Sequence, residues 1–192
     1  MGRRGTKFSE GNYYHIYNRG CNKEPIFRSS ENYFYLLRLL KEKLKIADVS
    51  PISYSLMPNH YHFLLRQDGD REISKMIQSL FNSYTKAFNK RYSRSGTLFE
   101  GPFKSICVDD EAYLIHLCRY IHRNPLEAGL VRSIEEWEFS NYLEWIGRRN
   151  GTLVDMDFVG QYFQDGNEYK RFVLEYEPSP RQTDGLDRYL FV

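Results

Sequence analysis

Two strand patterns separated by only two residues restrict the fold of this sequence more than any other feature. The segments PISYSLM (51–57) and HYHFLLR (60–66) are rich in apolar and β-forming residues, and Pro58 and Asn59 lie between them. So short a connection predicts a tight β-hairpin. The two strands must therefore pair antiparallel, at the centre of any sheet that contains them.

Strand and helix patterns continue on both sides of this hairpin. Strands are predicted over 13–20 and 103–108, and helices over 29–45, 70–93 and 111–123. The order strand, helix, strand, strand, helix, strand, helix is typical of an α+β plait of the ferredoxin-like or RRM-like type. We expect an antiparallel sheet with the helices over one of its faces. Such a plait hosts many functions, so the fold alone indicates none.

Apolar residues at helical spacing predict which side of each helix is buried. In the first helix they are Phe34, Leu37, Leu40 and Leu44. In the second they are Ile73, Ile77, Leu80, Tyr84 and Phe88, and in the third Leu114, Leu117, Cys118 and Ile121. Asp109 and Asp110 offer an N-cap for the third helix, and Pro125 is expected to stop it.

The chain of 192 residues is interpreted as one domain over 1–146 and a C-terminal extension over 147–192. The first part is long enough to bury a sizeable core. Ser133 to Glu136 match a capping box, and residues 168–176 have a helical pattern. We therefore expect a helical extension, to which the sequence assigns no role.

Charge is unevenly distributed along the chain, although its net value is only +2. Residues 1–104 hold 18 Lys and Arg against 9 Asp and Glu, whereas residues 105–192 hold 9 against 16. A basic half fits a polyanionic partner. Two solvated surfaces of opposite sign explain the same numbers, so the pattern favours nucleic acid without requiring it.

The three cysteines, Cys21, Cys107 and Cys118, form no CxxC pair. Their odd number and their spacing argue against a disulfide framework and favour a reducing compartment. The sequence shows no signal-peptide pattern and no apolar span of about 20 residues for a membrane helix. We therefore expect a cytoplasmic protein with no membrane partner.

The second strand of the hairpin carries two histidines, His60 and His62, with one residue between them. Side chains alternate along a strand, so both imidazoles share one face while Tyr61, Phe63 and Leu65 take the other. Two adjacent imidazoles can form a metal site or a phosphate site, or be neighbours by coincidence. A strong divalent-metal site needs a third protein ligand.

The third helix offers that ligand at the edge of its apolar side. Tyr120 and Asn124 are four residues apart and therefore project side by side. If this edge faces the histidines, two imidazoles, an amide oxygen and a phenol meet. Mg²⁺ or Mn²⁺ held there can bind phosphate oxygens, and the phenol can attack phosphorus to form a phosphotyrosine. The alternatives are that Tyr120 packs in the core and that Asn124 caps the helix.

These residues resemble a known family. The segment MPNHYHFLL (57–65) resembles the histidine–hydrophobic–histidine motif of the HUH-superfamily single-tyrosine transposases. Residues 96–131 are similar to a second block of the REP-associated tyrosine transposase branch, and YHIYNRG (14–20) to its first strand. The resemblance covers roughly residues 12 to 146, and two blocks at this spacing are more specific than either alone.

The resemblance implies a site, a cofactor and a substrate. Tyr120 matches the nucleophile, and His60, His62 and Asn124 match the ligands of Mg²⁺ or Mn²⁺. The implied substrate is single-stranded DNA with hairpins, cleaved to a 5′-phosphotyrosine and a free 3′-OH by a monomer or a homodimer. One departure is Glu100-Gly101-Pro102, where the branch often has Gln-Gly-Arg, so that an acidic side chain is introduced and a cation is lost among the expected DNA contacts.

Four cations are candidates for contact with DNA phosphates: Arg19, Lys90, Arg91 and Lys104. Each is equally well read as an ordinary exposed cation. His15 is expected to be a satisfied sheet histidine or to line the face of His60, and His116 and His122 are interpreted as possible surface residues without a role.

Three functions remain open from the sequence. The leading interpretation is a metal-dependent strand transferase, either a transposase or a domesticated relative. The second is a regulator that binds DNA hairpins without cutting them. The third is a histidine-metal hydrolase, which would not need Tyr120 beside Asn124.

Overall fold

Four antiparallel strands form the sheet in this computed structural model, which describes residues 7–176. In chain order they are β1 (Tyr13–Arg19), β2 (Val49–Met57), β3 (His60–Gln67) and β4 (Lys104–Val108). Their order across the sheet is β2-β3-β1-β4, and every neighbouring pair is antiparallel. Met57 pairs directly with His60, which confirms the tight hairpin predicted at Pro58 and Asn59. Its predicted position at the centre of the sheet was wrong for β2, which is an edge strand, because the order of strands depends on contacts distant in sequence.

The three predicted main helices are present and lie between or after the strands as expected. They are α1 (Ser30–Ala47), α2 (Ile73–Arg91) and α3 (Glu111–Glu127). Three shorter helices follow: α4 (Tyr142–Trp145), α5 (Met156–Tyr162) and α6 (Gly166–Leu174). Single 3-10 turns occur at Cys21–Lys23 and Ile134–Glu136. The α+β ferredoxin-like plait with a helical C-terminal part is thereby confirmed.

Helices cover both faces of the sheet, so the expectation of one covered face was wrong. Helices α1 and α2 pack against the face that carries Tyr61, Phe63 and Leu65. Helix α3 packs against the opposite face with Ile52 and Leu64. The physical reason is that β2 and β3 place apolar side chains on both of their sides, and each apolar surface must be buried.

The buried side of α1 is rotated from the one predicted. Tyr33, Leu36, Leu40 and Leu44 are buried, whereas Phe34 is 54% exposed. Both sets satisfy the three- and four-residue spacing of a helix, and the sequence cannot tell which set meets the sheet. The predicted buried sides of α2 and α3 are confirmed.

Helix α3 passes through Pro125 and ends at Glu127, so the prediction that Pro125 stops it was wrong. Pro125 lacks the N–H that would bond to the Ile121 carbonyl, and its ring crowds that carbonyl, but it lies in the last turn of the helix, so little of the helix follows it. The backbone bond from Ala128 N to Asn124 O (2.9 Å) completes the last turn, and Gly129, at φ +68°, ends it. At the other end Asp110 caps the helix by accepting from Tyr113 N at 2.6 Å, as predicted.

The C-terminal helices belong to the core on the α3 side of the sheet. Trp145, Phe158 and Tyr169 are buried there with the apolar side of α3. The domain boundary at residue 146 stays a prediction, and residues 177–192 of the extension lie outside the described part. Within residues 7–176, no helix is long and apolar enough to cross a membrane.

Candidate active site

Strand β3 turns both motif histidines toward α3. His62 pairs with Tyr17 of β1 and Ser55 of β2, while His60 pairs with Arg19 and Met57. Tyr61, between them, is buried in the core under α1 and α2. The period of two predicted from the sequence therefore holds, and it aims the two imidazoles at the same layer.

Helix α3 brings Tyr120 and Asn124 to these histidines. Nε2 of His60 lies 3.1 Å from Oδ1 of Asn124. The ring of Tyr120 meets the ring of His62 edge-on, with centroids 5.6 Å apart. The four residues predicted from two separate segments are thus neighbours in the structure, because the apolar side of α3 lies on the sheet and leaves its edge above β3.

Each ring nitrogen of His60 faces a side-chain oxygen, but a neutral imidazole has only one N–H to donate. Its Nδ1 lies 2.7 Å from Oδ1 of Asn59, and its Nε2 faces Oδ1 of Asn124. Burial and the charge of Arg19 lower the pKa of His60, against the opposing effect of the Asn124 hydrogen bond, so the neutral imidazole is favoured. A neutral imidazole carries one N–H. If it donates to Asn59, the Nε2 lone pair and the Asn124 oxygen face each other, as two ligands of one cation do.

His62 is held by another histidine, His15 of β1. Nδ1 of His62 and Nε2 of His15 are 3.0 Å apart, and both rings are buried. Burial lowers the pKa of His15 to about 3 and lowers that of His62 well below its usual value. Both rings are therefore neutral. When Nδ1 of His62 donates to His15, Nε2 of His62 keeps the lone pair that a metal requires.

Tyr120 is protonated at neutral pH. Burial raises the pKa of its phenol to about 12, and Tyr17 adds to this, while a hydrogen bond from Asn124 lowers it. The Asn124 amide therefore has its NH₂ group toward the phenol and its oxygen toward His60. The Asn124 side chain therefore contacts both Tyr120 and His60.

A buried histidine anchors α3 to the rest of the chain. His122 is completely buried, so its interpretation as a surface residue was wrong. Its Nδ1 lies 2.5 Å from the Tyr169 hydroxyl, and its Nε2 lies 2.9 Å from Oδ1 of Asn141 and 3.0 Å from Oγ of Ser53. Burial lowers the pKa of His122 to about 4. A neutral ring thus links the helix that carries Tyr120 to β2, α4 and α6.

Two arginines add to this anchorage. Arg119 donates to the Phe172 carbonyl at 3.4 Å, and Arg123 donates to the Val173 carbonyl at 2.9 Å. Both carbonyls belong to the last turn of α6, where the helix dipole favours a cation. The position of Tyr120 over β3 therefore depends on contacts with residues 140–174 as well as on the sheet.

Arg19 and Lys104 lie beside the four residues, and Arg19 is already engaged. Arg19 donates to Oε2 of Glu100 from Nε at 3.2 Å and from Nη2 at 3.0 Å. Nζ of Lys104 lies 5.8 Å from the centre of the Tyr17 ring. Glu100 is the acidic residue at which this chain departs from the family pattern. Its carboxylate pairs with Arg19, the cross-strand neighbour of His60.

The structure does not bring Lys90 and Arg91 to this group. They end α2, which packs on the opposite face of the sheet, and Arg91 forms an ion pair with Glu31 of α1. Basic residues at one end of a helix were visible in the sequence. Which layer that helix occupies was not.

Two further residues contact the motif histidines, and sequence reasoning missed the role of one of them. Asn59 was interpreted only as part of the hairpin turn, although its oxygen faces His60. His15 was left with two interpretations, and the structure shows both to be right, since it lies on the same face and bonds to His62. The period-two pattern of β1 placed His15 on one side of the sheet, but its pairing register was unknown.

The donor set suits a divalent cation only if an amide takes part. Among residues 7–176, no three His, Cys, Asp or Glu side chains converge as a metal cluster. Two imidazoles with the amide oxygen of Asn124 would supply three neutral ligands, which leaves further coordination positions of such a cation open. The facing Nε2 and Oδ1 atoms make these residues fit such a cation.

A protein-family model matches much of the chain. The model described as "Transposase IS200 like" matches residues 9–124. That stretch contains β1 to β4 and extends to Asn124. No curated protein matches the chain.

The solved structures that match the chain include the following two. One is the REP-associated tyrosine transposase bound to a REP hairpin, at 16% identity and a TM-score of 0.62, covering 81% of this chain and 94% of the other. The other is a Deinococcus radiodurans R1 protein classed as a transposase, at 14% identity and a TM-score of 0.44, covering 64% and 97%. At such low identity the first of these supports the fold alone.

Proposed function

Because the chain belongs to the IS200-like transposase family, we propose that it cleaves and rejoins single-stranded DNA at hairpins through a covalent bond to Tyr120. The observation that carries the proposal is the meeting of four side chains from two distant segments. The contact of His60 with Asn124 (3.1 Å) and that of His62 with Tyr120 join β3 to α3.

The proposed cofactor is Mg²⁺ or Mn²⁺, held by His60, His62 and Asn124. When bound, such a cation neutralises the charge on the scissile phosphate and makes its phosphorus more electrophilic. The support is the ligand geometry: Nδ1 of His60 faces Asn59 and Nδ1 of His62 faces His15, and when each Nδ1 carries the ring proton each Nε2 keeps its lone pair. This leaves both Nε2 atoms as the ligating nitrogens.

Tyr120 supplies the nucleophile. Its oxygen forms a bond to phosphorus, and the bond from phosphorus to the 3′ oxygen breaks. The phenol gives its proton to water, and the leaving 3′ oxygen takes one up, so that the products are a 5′-phosphotyrosine and a free 3′-OH. Asn124 assists because its hydrogen bond lowers the pKa of a phenol that burial raises to about 12. Rejoining is the reverse attack by a 3′-OH, which needs no external energy source.

The proposed partner is DNA that carries a hairpin. The similar solved transposase is bound to a REP hairpin, and Arg19 and Lys104 provide cations next to the four site residues for the phosphates. The basic first half of the chain supplies the wider electrostatic attraction.

A test uses hairpin oligonucleotides with randomised single-stranded flanks, labelled at either end and incubated with Mn²⁺. We expect the 3′-labelled fragment to remain on the protein in a denaturing gel and the 5′-labelled fragment to be released. Tyr120→Phe should abolish the adduct, while Tyr113→Phe, two turns away on α3, should retain it. An adduct that survives Tyr120→Phe would refute the proposal.

One observation favours a second candidate, a regulator that binds hairpins without cutting them. Glu100 neutralises Arg19 beside His60, which weakens phosphate binding at the site. This candidate predicts hairpin binding that is insensitive to chelator and to Tyr120→Phe, with no adduct. Nicking that persists in Tyr120→Phe would instead indicate a hydrolase.

A further inference from the structure

A groove between α1 and α2 lies on the face of the sheet opposite the candidate active site. It encloses about 450 Å³, within the range of pockets that hold small ligands. Its lining includes the aromatic rings of Phe34, Tyr35, Tyr84 and Phe88. Phe34 is more than half exposed, as is Ile46 at the other end of α1, so its ring is open to a ligand.

Guanidinium groups surround these rings. Four of them lie between 5.0 and 5.8 Å from the centre of an aromatic ring at or beside the groove: Arg28, Arg38, Arg91 and Arg94. Among the ion pairs of residues 7–176, Arg91 is the one member of this set that has a carboxylate partner, Glu31. The lining itself holds Arg38 and Arg91 against Glu31, so the groove combines aromatic side chains with a net positive charge, and Arg28 and Arg94 lie beside it.

We propose that this groove binds an unpaired nucleotide of the single-stranded DNA next to the hairpin, an inference that rests on the proposed function. The base would stack on the exposed ring of Phe34, and the phosphate would meet Arg38. Aromatic platforms beside a cationic groove are the usual means of binding single-stranded nucleic acid. Arg91, at the basic end of α2, does not reach the candidate active site but lines this groove and would contact the same nucleotide.

The aromatic rings and arginines of the groove fit an unpaired nucleotide better than a DNA duplex or an acidic peptide. A duplex stem keeps its bases stacked and offers only phosphates, which would use the arginines and leave the rings without a partner. An acidic peptide has no flat π surface for Phe34 and Tyr35. A nucleotide that has left the stack matches both features at once.

The groove and the candidate active site lie at the same end of the sheet. The Tyr84 hydroxyl donates to the Ile26 carbonyl at 2.5 Å, and Ile26 N donates to the Pro58 carbonyl at 2.8 Å. Pro58 precedes Asn59, which contacts His60. One strand of DNA can therefore run from the catalytic face, around the hairpin turn at Pro58, to the groove.

The test compares the binding of two DNAs by fluorescence anisotropy, with and without EDTA. One is a hairpin with randomised single-stranded flanks, and the other is the same hairpin without flanks. Phe34→Ala and Arg38→Ala should each weaken binding of the flanked hairpin, by about 5-fold to about 150-fold. Binding of the hairpin without flanks should change by less than about twofold. Ile46→Ala and Lys45→Ala are the matched controls, because both residues are exposed on α1 away from the groove.

Photo-crosslinking of 5-iodouracil placed in the flanks shows which part of the protein the flank contacts. The expected crosslinked peptide contains Phe34 and Tyr35. Equal loss on both DNAs would mean that the groove contacts the stem, and unchanged binding would mean that it contacts no DNA; either result overturns the inference. Covalent adduct formation by Phe34→Ala at saturating DNA separates the two proposals. If that adduct forms while flank binding is unaffected, only the groove proposal fails.

Discussion

The ion pair between Arg19 and Glu100 allows a quantitative prediction about DNA binding. Both carboxylate contacts of Arg19, at 3.0 and 3.2 Å, go to the same oxygen of Glu100, and the two side chains are 19% and 31% exposed. In Glu100→Gln the carboxylate charge is gone. The guanidinium is then released to a phosphate near His60, its cross-strand neighbour.

The size of the effect follows from the exchange of one partner for another. A partly exposed ion pair contributes about 0.2–1 kcal/mol to stability, so the fold should tolerate its loss. A hydrogen bond to a charged group contributes about 1.5–3 kcal/mol, and the lower figure corresponds to about tenfold tighter binding. One more phosphate contact on single-stranded DNA also steepens the slope of log K against log salt by about 0.7.

The assay is hairpin binding by fluorescence anisotropy across a salt series, for the parent chain, Glu100→Gln, Arg19→Ala and the double variant. We expect Glu100→Gln to bind about tenfold more tightly at low salt, with the steeper slope. In the Arg19→Ala background the same substitution should change little. The reasoning is refuted if Glu100→Gln leaves both affinity and slope unchanged, or if its gain persists without Arg19.

Three further outcomes are expected. His122→Phe should lower the free energy of unfolding in urea by about 3 kcal/mol, because Tyr169 and its other partners lose a buried bond, and a loss below about 1 kcal/mol would contradict the anchoring role. Asn59→Ala should weaken Mn²⁺ binding by about tenfold in calorimetric titration, since the tautomer of His60 is no longer fixed; unchanged affinity would remove Asn59 from the site. Lys104→Ala should reduce the salt slope of DNA binding by about 0.7 without altering the yield of adduct at saturating DNA, and a lost adduct would give Lys104 a different role.

The tight hairpin and the face of each motif histidine were predictable because both depend on local rules. Two residues between strands permit only antiparallel pairing, and alternation along β3 separates His60 and His62 from Tyr61 whatever the rest of the chain does. The edge position of Tyr120 on α3 is local in the same sense.

Features that depend on contacts distant in sequence were not predictable. The buried side of α1 is chosen by the sheet beneath it, so Phe34 was assigned to the core although it is exposed. His122 is buried because residues 140–174 fold back over α3. No local sequence pattern predicts that contact. The pairing of Arg19 with Glu100 likewise joins segments 81 residues apart.

Locating the covalent bond tests the central claim most directly. The protein is incubated with a flanked hairpin and Mn²⁺, digested with protease and nuclease, and its peptides are analysed by mass spectrometry. The nucleotide-bearing mass is expected on the peptide that contains Tyr120, while the remaining members of the sixteen tyrosines serve as internal controls. A modified tyrosine elsewhere in the chain, or cleaved DNA with every tyrosine unmodified, would contradict the assignment of Tyr120 as the nucleophile.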